Sequence, residues 1–201
     1  MTSLVDVVIM RPMDKQTKVL LLSGNMIISF VFAVTMPTIQ IYFISQIGAN
    51  VLAVTNMVTV GLGAIVNSTV PNARLKEVYR RNFVGIVVVD IVCFSVISML
   101  GIEFAVIRFI GIATLNAVST NLWYIIMKNA INRVINGDEL TDWDSYSKSL
   151  ELYASLAGGA IAFFFSEQMN IELCIAAQCL ANAIFGFTDI NAFKRLEEYH
   201  D

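Results

Sequence analysis

The sequence has little charge and almost no histidine. Charged residues make up 14% of the 201-residue chain and hydrophobic residues make up 57%, a composition too apolar for a soluble domain of this length. The lone histidine, His200, is a predicted solvated tail residue, and no Ser/His/Asp set, phosphate-binding loop or His/Glu metal cluster is present. We therefore expect neither an enzyme nor a protein that holds a cofactor or a metal ion.

The three cysteines indicate no disulfide framework and no metal site. Cys93, Cys174 and Cys179 all fall inside long apolar stretches, and the last two are not spaced as a metal-binding pair. Buried packing is the interpretation that we prefer for all three.

Long apolar stretches dominate what is present, and a helix needs about 20 such residues to cross the hydrocarbon core of a membrane. Six stretches of this kind lie at about 19–46, 50–70, 82–102, 104–127, 147–166 and 171–190. Several are apolar on every face, whereas the strands of a membrane β-barrel alternate apolar and polar residues. The sequence predicts an all-α polytopic membrane protein with one six-helix domain over residues 1–201. No apolar stretch of signal-peptide length lies within the first 13 residues, so we expect no cleavable signal.

Basic residues occur on one side only of the predicted bundle. They precede the first stretch, follow the sixth, and occupy the second and fourth connectors, whereas the other three connectors contain no Lys or Arg. Because basic residues are retained on the cytoplasmic side of short loops, both termini are predicted to face the cytoplasm. We expect a multi-pass protein of a bacterial inner (plasma) membrane, with the lipid bilayer as a partner and no nucleic-acid partner.

The first and fourth stretches stand apart because of the polar residues inside them. Asn25 and Ser29 lie in the first stretch, and Arg108, Asn116 and Ser119 lie in the fourth. Each of these stretches opens a unit of three helices. Because three is odd, the second unit crosses the membrane in the opposite sense, as in the inverted repeats of secondary transporters. We expect the two polar helices to share a solute-binding cavity.

Arg108 is the leading candidate for solute binding. On a helical wheel, Asn116, Ser119 and Trp123 fall within about 80° of it, which makes one face of the fourth stretch polar and aromatic. The functional interpretation is binding of an anionic solute or tuning of a proton-carrying acid. The alternatives are an arginine that extends toward the outer headgroups and polar residues that only join helices.

Asp90 is the second ionisable residue that we predict inside the bilayer. A buried carboxyl group of this kind is a candidate proton relay, and the alternative is a hydrogen-bonded acid that holds the bundle together. The backbones of Asp90 and Arg108 differ in depth by roughly 9 Å at about 1.5 Å of rise per residue, so we do not favour a direct salt bridge.

The second cytoplasmic loop region is predicted near 136–144, where acidic residues surround Trp143. We interpret it as a solvated turn with an interface-anchoring tryptophan, and docking of a soluble partner is the alternative. Just after it, Lys148 and Glu151 are spaced for an i,i+3 ion pair.

Three further stretches form a pattern. They are the basic second connector at 72–82 (NARLKEVYRRN), Arg108 with Gly111 shortly after it, and the Gly-rich fifth stretch at 156–160 (LAGGA). Together they resemble one six-helix half of a major facilitator superfamily (MFS) transporter, over most of the chain. The sequence departs from that pattern at 66–74, which contains neither Gly nor Asp, so the family's usual cytoplasmic gate contact is not carried over.

A full transporter of that family has twelve spans, so the resemblance implies that two copies of this chain form a homodimer. It implies a half-size secondary transporter that moves a small-molecule solute by alternating access. Two alternatives share its size and topology: a substrate-binding membrane subunit of a larger uptake complex, and a noncatalytic accessory or regulatory membrane protein. Close helix packing, within one bundle or between copies, is expected at Gly61, Gly63, Gly158 and Gly159.

Overall fold

The computed structural model describes residues 13–69, 73–101, 104–135 and 137–198. Within these ranges the chain is helical and has no strand, as predicted. The predictions for residues 1–12 and for His200 lie outside the described residues. The helices are α1 (Lys15–Ile47), α2 (Ala49–Thr69), α3 (Ala73–Arg81), α4 (Phe83–Ser98), α5 (Ala105–Leu115), a π-helical turn (Asn116–Thr120), α6 (Asn121–Val134), α7 (Gly137–Phe165) and α8 (Ile171–Glu198).

Each predicted apolar stretch overlaps a helical segment, and α5, the π-helical turn and α6 run on as one helix. Four segments are long and apolar enough to cross a membrane: α1, α2, the segment from α5 to α6, and α8. The apolar helix α4 has 16 residues, shorter than a minimal crossing. Helix α7 has 29 residues, of which the first half is polar.

Large apolar side chains cover the outside of the described bundle. Met57 on α2 is 75% exposed and Phe163 on α7 is 83% exposed, while the polar residues Arg108, Gln178 and Asp189 are buried. This distribution is the reverse of that in a water-soluble protein, where large apolar patches are rarely exposed. The chain is therefore that of a helical membrane protein.

The predicted turn at 136–144 is wrong, because helix α7 already begins at Gly137. Two physical reasons explain the longer helix. Acidic residues such as Glu139 and Asp142 stand in its first turns, where the positive end of the helix dipole favours them. Trp143 packs on the buried apolar core, so this segment is held by tertiary contacts. The predicted ion pair between Lys148 and Glu151 is confirmed, with 3.1 Å between the charged atoms.

Helix α1 is the centre of the packing, since it contacts both α7 and α8 along its length. The segment from α5 to α6 contacts α2 and α4, and α4 also contacts α8. Gly158 allows the closest approach of α7 to α1: a Cβ atom there would lie 2.6 Å from the carbonyl oxygen of Phe30. Gly63 on α2 faces Asn121, while Gly61 and Gly159 have open space around them within the described chain. Of the four predicted glycine contacts, two therefore form inside one bundle.

Aromatic side chains pack together at the end of the bundle where α1 begins and α8 ends. We call the group of Phe83, Trp123, Phe185, Phe193 and Leu196 the aromatic plug, because its rings pack face to face and edge to face between α4, α6 and α8. The Phe83 and Phe193 ring centroids are 4.3 Å apart, and Phe83 and Leu196 are almost fully buried.

Two ion pairs tie helix ends together beside this plug. Arg195 of α8 lies 3.4 Å from Asp14, which caps α1, and Arg80 of α3 lies 3.3 Å from Glu197 of α8. They join the beginning of α1 and the basic segment α3 to the C-terminal end of α8.

Candidate functional site

A cavity of about 220 Å³ lies in the half of the bundle away from the termini. We call it the polar cavity after the six polar residues in its wall, although most of the wall is apolar. Helices α1, α2, α4, α5 and α8 all contribute to its wall. Apolar side chains, among them Phe32, Phe109 and Ile112, form much of the wall. The polar lining residues are Gln40, Asn56, Thr59, Ser98, Arg108 and Gln178.

Arg108 is the one cation among the described residues that line the polar cavity. Its side chain is only 3% exposed, and its Nη1 donates to the backbone carbonyl oxygen of Leu100 at 3.2 Å. The Nε and Nη2 atoms are buried and have no hydrogen-bond partner among the described residues. A buried cation with unpaired donors is costly, because water no longer solvates it. Both nitrogens are enclosed by neighbouring atoms, so neither is open to the cavity in this structure.

Gln178 is fixed at the cavity wall by a contact between two helices. Its Nε2 donates to the Thr35 hydroxyl oxygen at 2.9 Å, and the Thr35 hydroxyl donates to the carbonyl oxygen of Val31 at 2.7 Å. This chain joins α8 to α1. The amide of Gln178 is therefore held in a fixed position at the cavity wall.

A second polar group, separate from the cavity, lies between α4, the π-helical turn and α8. The Asn182 amide donates to a carboxyl oxygen of Asp90 at 3.4 Å, and the Ser119 side chain lies near the same carboxyl group. All three residues are buried. The partners of Asp90 and of Arg108 thus differ, and no salt bridge joins these two described residues.

Trp123 belongs to the aromatic plug rather than to the polar cavity. Its Nε1 donates to Oδ2 of Asp189 at 2.6 Å, and Oδ1 of that carboxyl group is buried without a partner among the described residues. Trp123 lies about 22 Å along the helix from Arg108, at about 1.5 Å of rise per residue. A shared helical face therefore does not bring these two side chains together.

The remaining predicted site residues lie elsewhere. Asn25 and Ser29 are partly exposed on α1 and precede Phe32, the first residue of α1 that lines the polar cavity. Asn116 opens the π-helical turn, and its side chain lies outside the described part of the structure. Of the six predicted solute-binding residues, the structure places Arg108 in the cavity wall.

Sequence reasoning missed the cavity residues that come from α2, α4 and α8. Asn56, Ser98 and Gln178 each lie in a stretch that is mostly apolar, so hydropathy averaging conceals them. It also missed Asp189, which is 4% exposed and lies well inside α8. The useful signal was an amide or acidic residue inside a stretch that is otherwise apolar, since such groups are rarely kept in a membrane without a partner.

Comparison of the chain with protein-family models, with curated proteins and with solved structures finds no match. Among the described residues there is also no group of three His, Cys, Asp or Glu residues that would hold a metal ion. The functional assignment therefore depends on the geometry of the polar cavity.

Proposed function

We propose that this chain is a half-size secondary transporter that works as a homodimer and moves a small solute by alternating access. The observation that carries the proposal is the polar cavity, whose wall includes the buried side chain of Arg108. In a membrane helix, an ionisable residue that faces an internal cavity usually serves a solute or ion pathway.

The position of the cavity along the membrane normal suits a carrier that is open to the outside. We propose six membrane spans, made by α1, α2, α4, the segment from α5 to α6, α7 and α8, with both termini in the cytoplasm. The cavity residues Phe43 of α1, Asn56 of α2 and Ile175 of α8 all lie toward the end away from the termini. The aromatic plug then separates the cavity from the cytoplasm. Transport requires that this plug open while the outer side closes.

The pattern of helix contacts supports two inverted three-helix units. If the two units correspond, the first span matches the fourth, the second matches the fifth and the third matches the sixth. The contact of α1 with α7 then corresponds to the contact of the α5–α6 segment with α2, and both contacts are present. In the same way, the contact of α1 with α8 corresponds to that of the α5–α6 segment with α4. This correspondence is expected for inverted repeats that rock about a central site.

The cavity mouth supports a homodimer. Gln40 and Asn56 line the cavity but are exposed at the surface of the single chain, each about two turns from the link between α1 and α2 at Gly48. Amide groups that face lipid are unfavourable, because hydrocarbon offers no hydrogen bonds. A second copy that applies the same face would shield both residues from lipid and leave them beside a shared cavity that opens to the outside, as expected of a twofold interface along the membrane normal.

The first test is the detergent-corrected mass of the purified protein, together with spin-label distances between copies that carry Asn56→Cys in a background without native cysteines. A dimer with labels near a common axis is the expected result. Met57→Cys is the matched control, since Met57 is the next residue and points outward, and its labels should be farther apart. A monomer, or a single copy bound to other proteins, would contradict the homodimer and favour the binding-subunit or accessory alternative.

Alternating access is tested with the same Asn56→Cys variant in cells and in inverted membrane vesicles. A membrane-impermeant maleimide should modify it from the outside, and the modified protein in liposomes should lose solute exchange. Met57→Cys should keep exchange. Full exchange by the modified Asn56→Cys protein would contradict a solute path through the cavity.

A further inference from the structure

We infer that a second cavity, at the end of the bundle where α1 and α7 begin, binds the headgroup of phosphatidylethanolamine from the surrounding bilayer. We call it the terminal cavity. It lies between the start of α1, the end of α6 and the start of α7, and its volume is about 330 Å³. Cavities of about 300 to 1,000 Å³ are typical of small-molecule sites. The terminal cavity shares no lining residue with the polar cavity, so this inference goes beyond solute transport.

Charged side chains of both signs line the terminal cavity without pairing with one another. Lys18 comes from the first turn of α1, and Glu139 and Asp142 come from the first turns of α7. Within the described part of the chain, no ion pair joins Lys18 to either carboxylate. All three residues are at least partly exposed. The cavity therefore holds one cation apart from two anions, and all three charges are open to a ligand.

Separated charges of this kind match a zwitterion. The ammonium group of an ethanolamine headgroup has three N–H donors for the carboxylates of Glu139 and Asp142, and the neighbouring phosphate group accepts from Lys18. A choline headgroup has no N–H donor for the carboxylates. Phosphatidylglycerol has no cation, and its phosphate group would lie in a cavity whose two acids outnumber its one lysine. The lining therefore favours ethanolamine over both of these headgroups.

The terminal cavity lies at the depth of the lipid headgroups. Lys18 is the last charged residue of α1, and the apolar half of α7 begins after Glu151. Trp143 and Tyr146 line the cavity just before that boundary. Tryptophan and tyrosine are enriched at headgroup depth, and their ring faces also attract an ammonium group. Leu22, one turn farther along α1, offers an apolar contact to the start of an acyl chain.

Native mass spectrometry of the full-length protein released from nanodiscs tests the inference. The nanodiscs contain phosphatidylethanolamine, phosphatidylcholine and phosphatidylglycerol in equal amounts and with identical acyl chains. The protein should retain the ethanolamine lipid about three- to tenfold more often than the glycerol lipid, because each exposed charge pair contributes modestly. The choline lipid should fall between the two. Equal retention of the three lipids would overturn the inference.

Removal of the two cavity carboxylates tests the assignment to this site. The double variant Glu139→Gln with Asp142→Asn should lose the preference for the ethanolamine lipid over the glycerol lipid. Asp144→Asn with Glu151→Gln is the matched control, since it removes two carboxylates of the same helix that pair with lysines and do not line the cavity. The control should keep the preference. An unchanged preference in the first double variant, or the same loss in both, would refute the site.

Photo-cross-linking in the same nanodiscs identifies the occupant directly and does not require a change of charge. With p-benzoylphenylalanine in place of Tyr146, the adducts should be enriched in the ethanolamine lipid. In place of Tyr153, which is exposed on α7 and does not line the cavity, the adducts should follow the bulk lipid composition. Cross-links from position 146 to protein instead of lipid would contradict the proposal. Loss of the lipid adduct when water-soluble glycerophosphoethanolamine is added at the concentration of the lipid would contradict the assignment to a bilayer lipid.

Discussion

Replacing Gly158 by alanine should destabilise the bundle, because α7 approaches α1 most closely at this residue. A Cβ atom at this position would lie 2.6 Å from the carbonyl oxygen of Phe30, 2.9 Å from Cβ of Ala33 and 3.2 Å from the backbone nitrogen of Val34. These neighbours are backbone atoms and a methyl group on a helix, so none can turn aside. The two helices must instead move apart.

The size of the effect follows from this geometry. Real Cβ contacts essentially never fall below 3.0 Å, so the helices must separate by at least about 0.4 Å, and a gap of about 0.5 Å forfeits about a quarter of the dispersion energy of each affected atom pair. Overpacking usually costs about 1 to 3 kcal/mol, while replacing a helical glycine by alanine returns about 0.5 to 1 kcal/mol. We expect a net loss of about 0.5 to 2 kcal/mol in the free energy of unfolding.

Reversible unfolding by SDS in mixed micelles measures this change, and the chain supplies a matched control. Gly159 is the next residue of the same helix, and a Cβ atom there meets nothing within 4 Å. Gly159→Ala should therefore be neutral or slightly stabilising. If the two variants lost the same stability, close packing of α7 on α1 at Gly158 would be refuted.

Three further predictions concern the aromatic plug and the segment α3. Phe83→Ala should lower the free energy of unfolding by about 3 to 5 kcal/mol, because Phe83 is fully buried and its removal leaves a void, and thermal unfolding measures this loss. Trp123→Phe should cost about 1 to 3 kcal/mol by removing the donor to Asp189, and Trp123→Phe combined with Asp189→Leu should recover part of that loss in the same assay. The Arg81 hydrogen bond lowers the pKa of Glu77 below 4.5, so this ion pair stabilises α3 above pH 4.5 and its contribution is lost as the pH falls below that value. Arg81→Gln should raise the Glu77 pKa toward 4.5 in an NMR titration of the carboxyl carbon, and an unchanged titration would contradict the pairing.

The helical segments were predictable from sequence because the signal is local. Twenty consecutive apolar residues specify a helix suited to lipid whatever surrounds it, and the predicted stretch 171–190 lies within α8, at Ile171–Glu198. The error at 136–144 arose where local polarity opposed a tertiary contact. Trp143 packs on the core and extends α7 through residues that read as a turn.

The candidate site was predictable only in part. Arg108 stood out because an arginine inside an apolar stretch is costly and therefore rare. Trp123 was grouped with Arg108 because a helical wheel reports direction and ignores depth, and the structure assigns it to the aromatic plug. Gln178 was missed, since a single amide in an apolar stretch carries no sign of the helix that it faces.

The sequence by itself determined that this is a membrane protein, where its long helices lie, and that its basic residues are confined to alternate connectors and the two ends of the chain. Each of these properties is a sum or a pattern along the chain, so neighbouring residues are enough to specify it. Only the tertiary structure decided which polar groups meet. The wall of the polar cavity joins Asn56 of α2, Arg108 of α5 and Gln178 of α8, and their meeting depends on the rotation and depth of whole helices. Those quantities are fixed by packing between helices that are distant in the chain, such as the approach of α7 to α1 at Gly158.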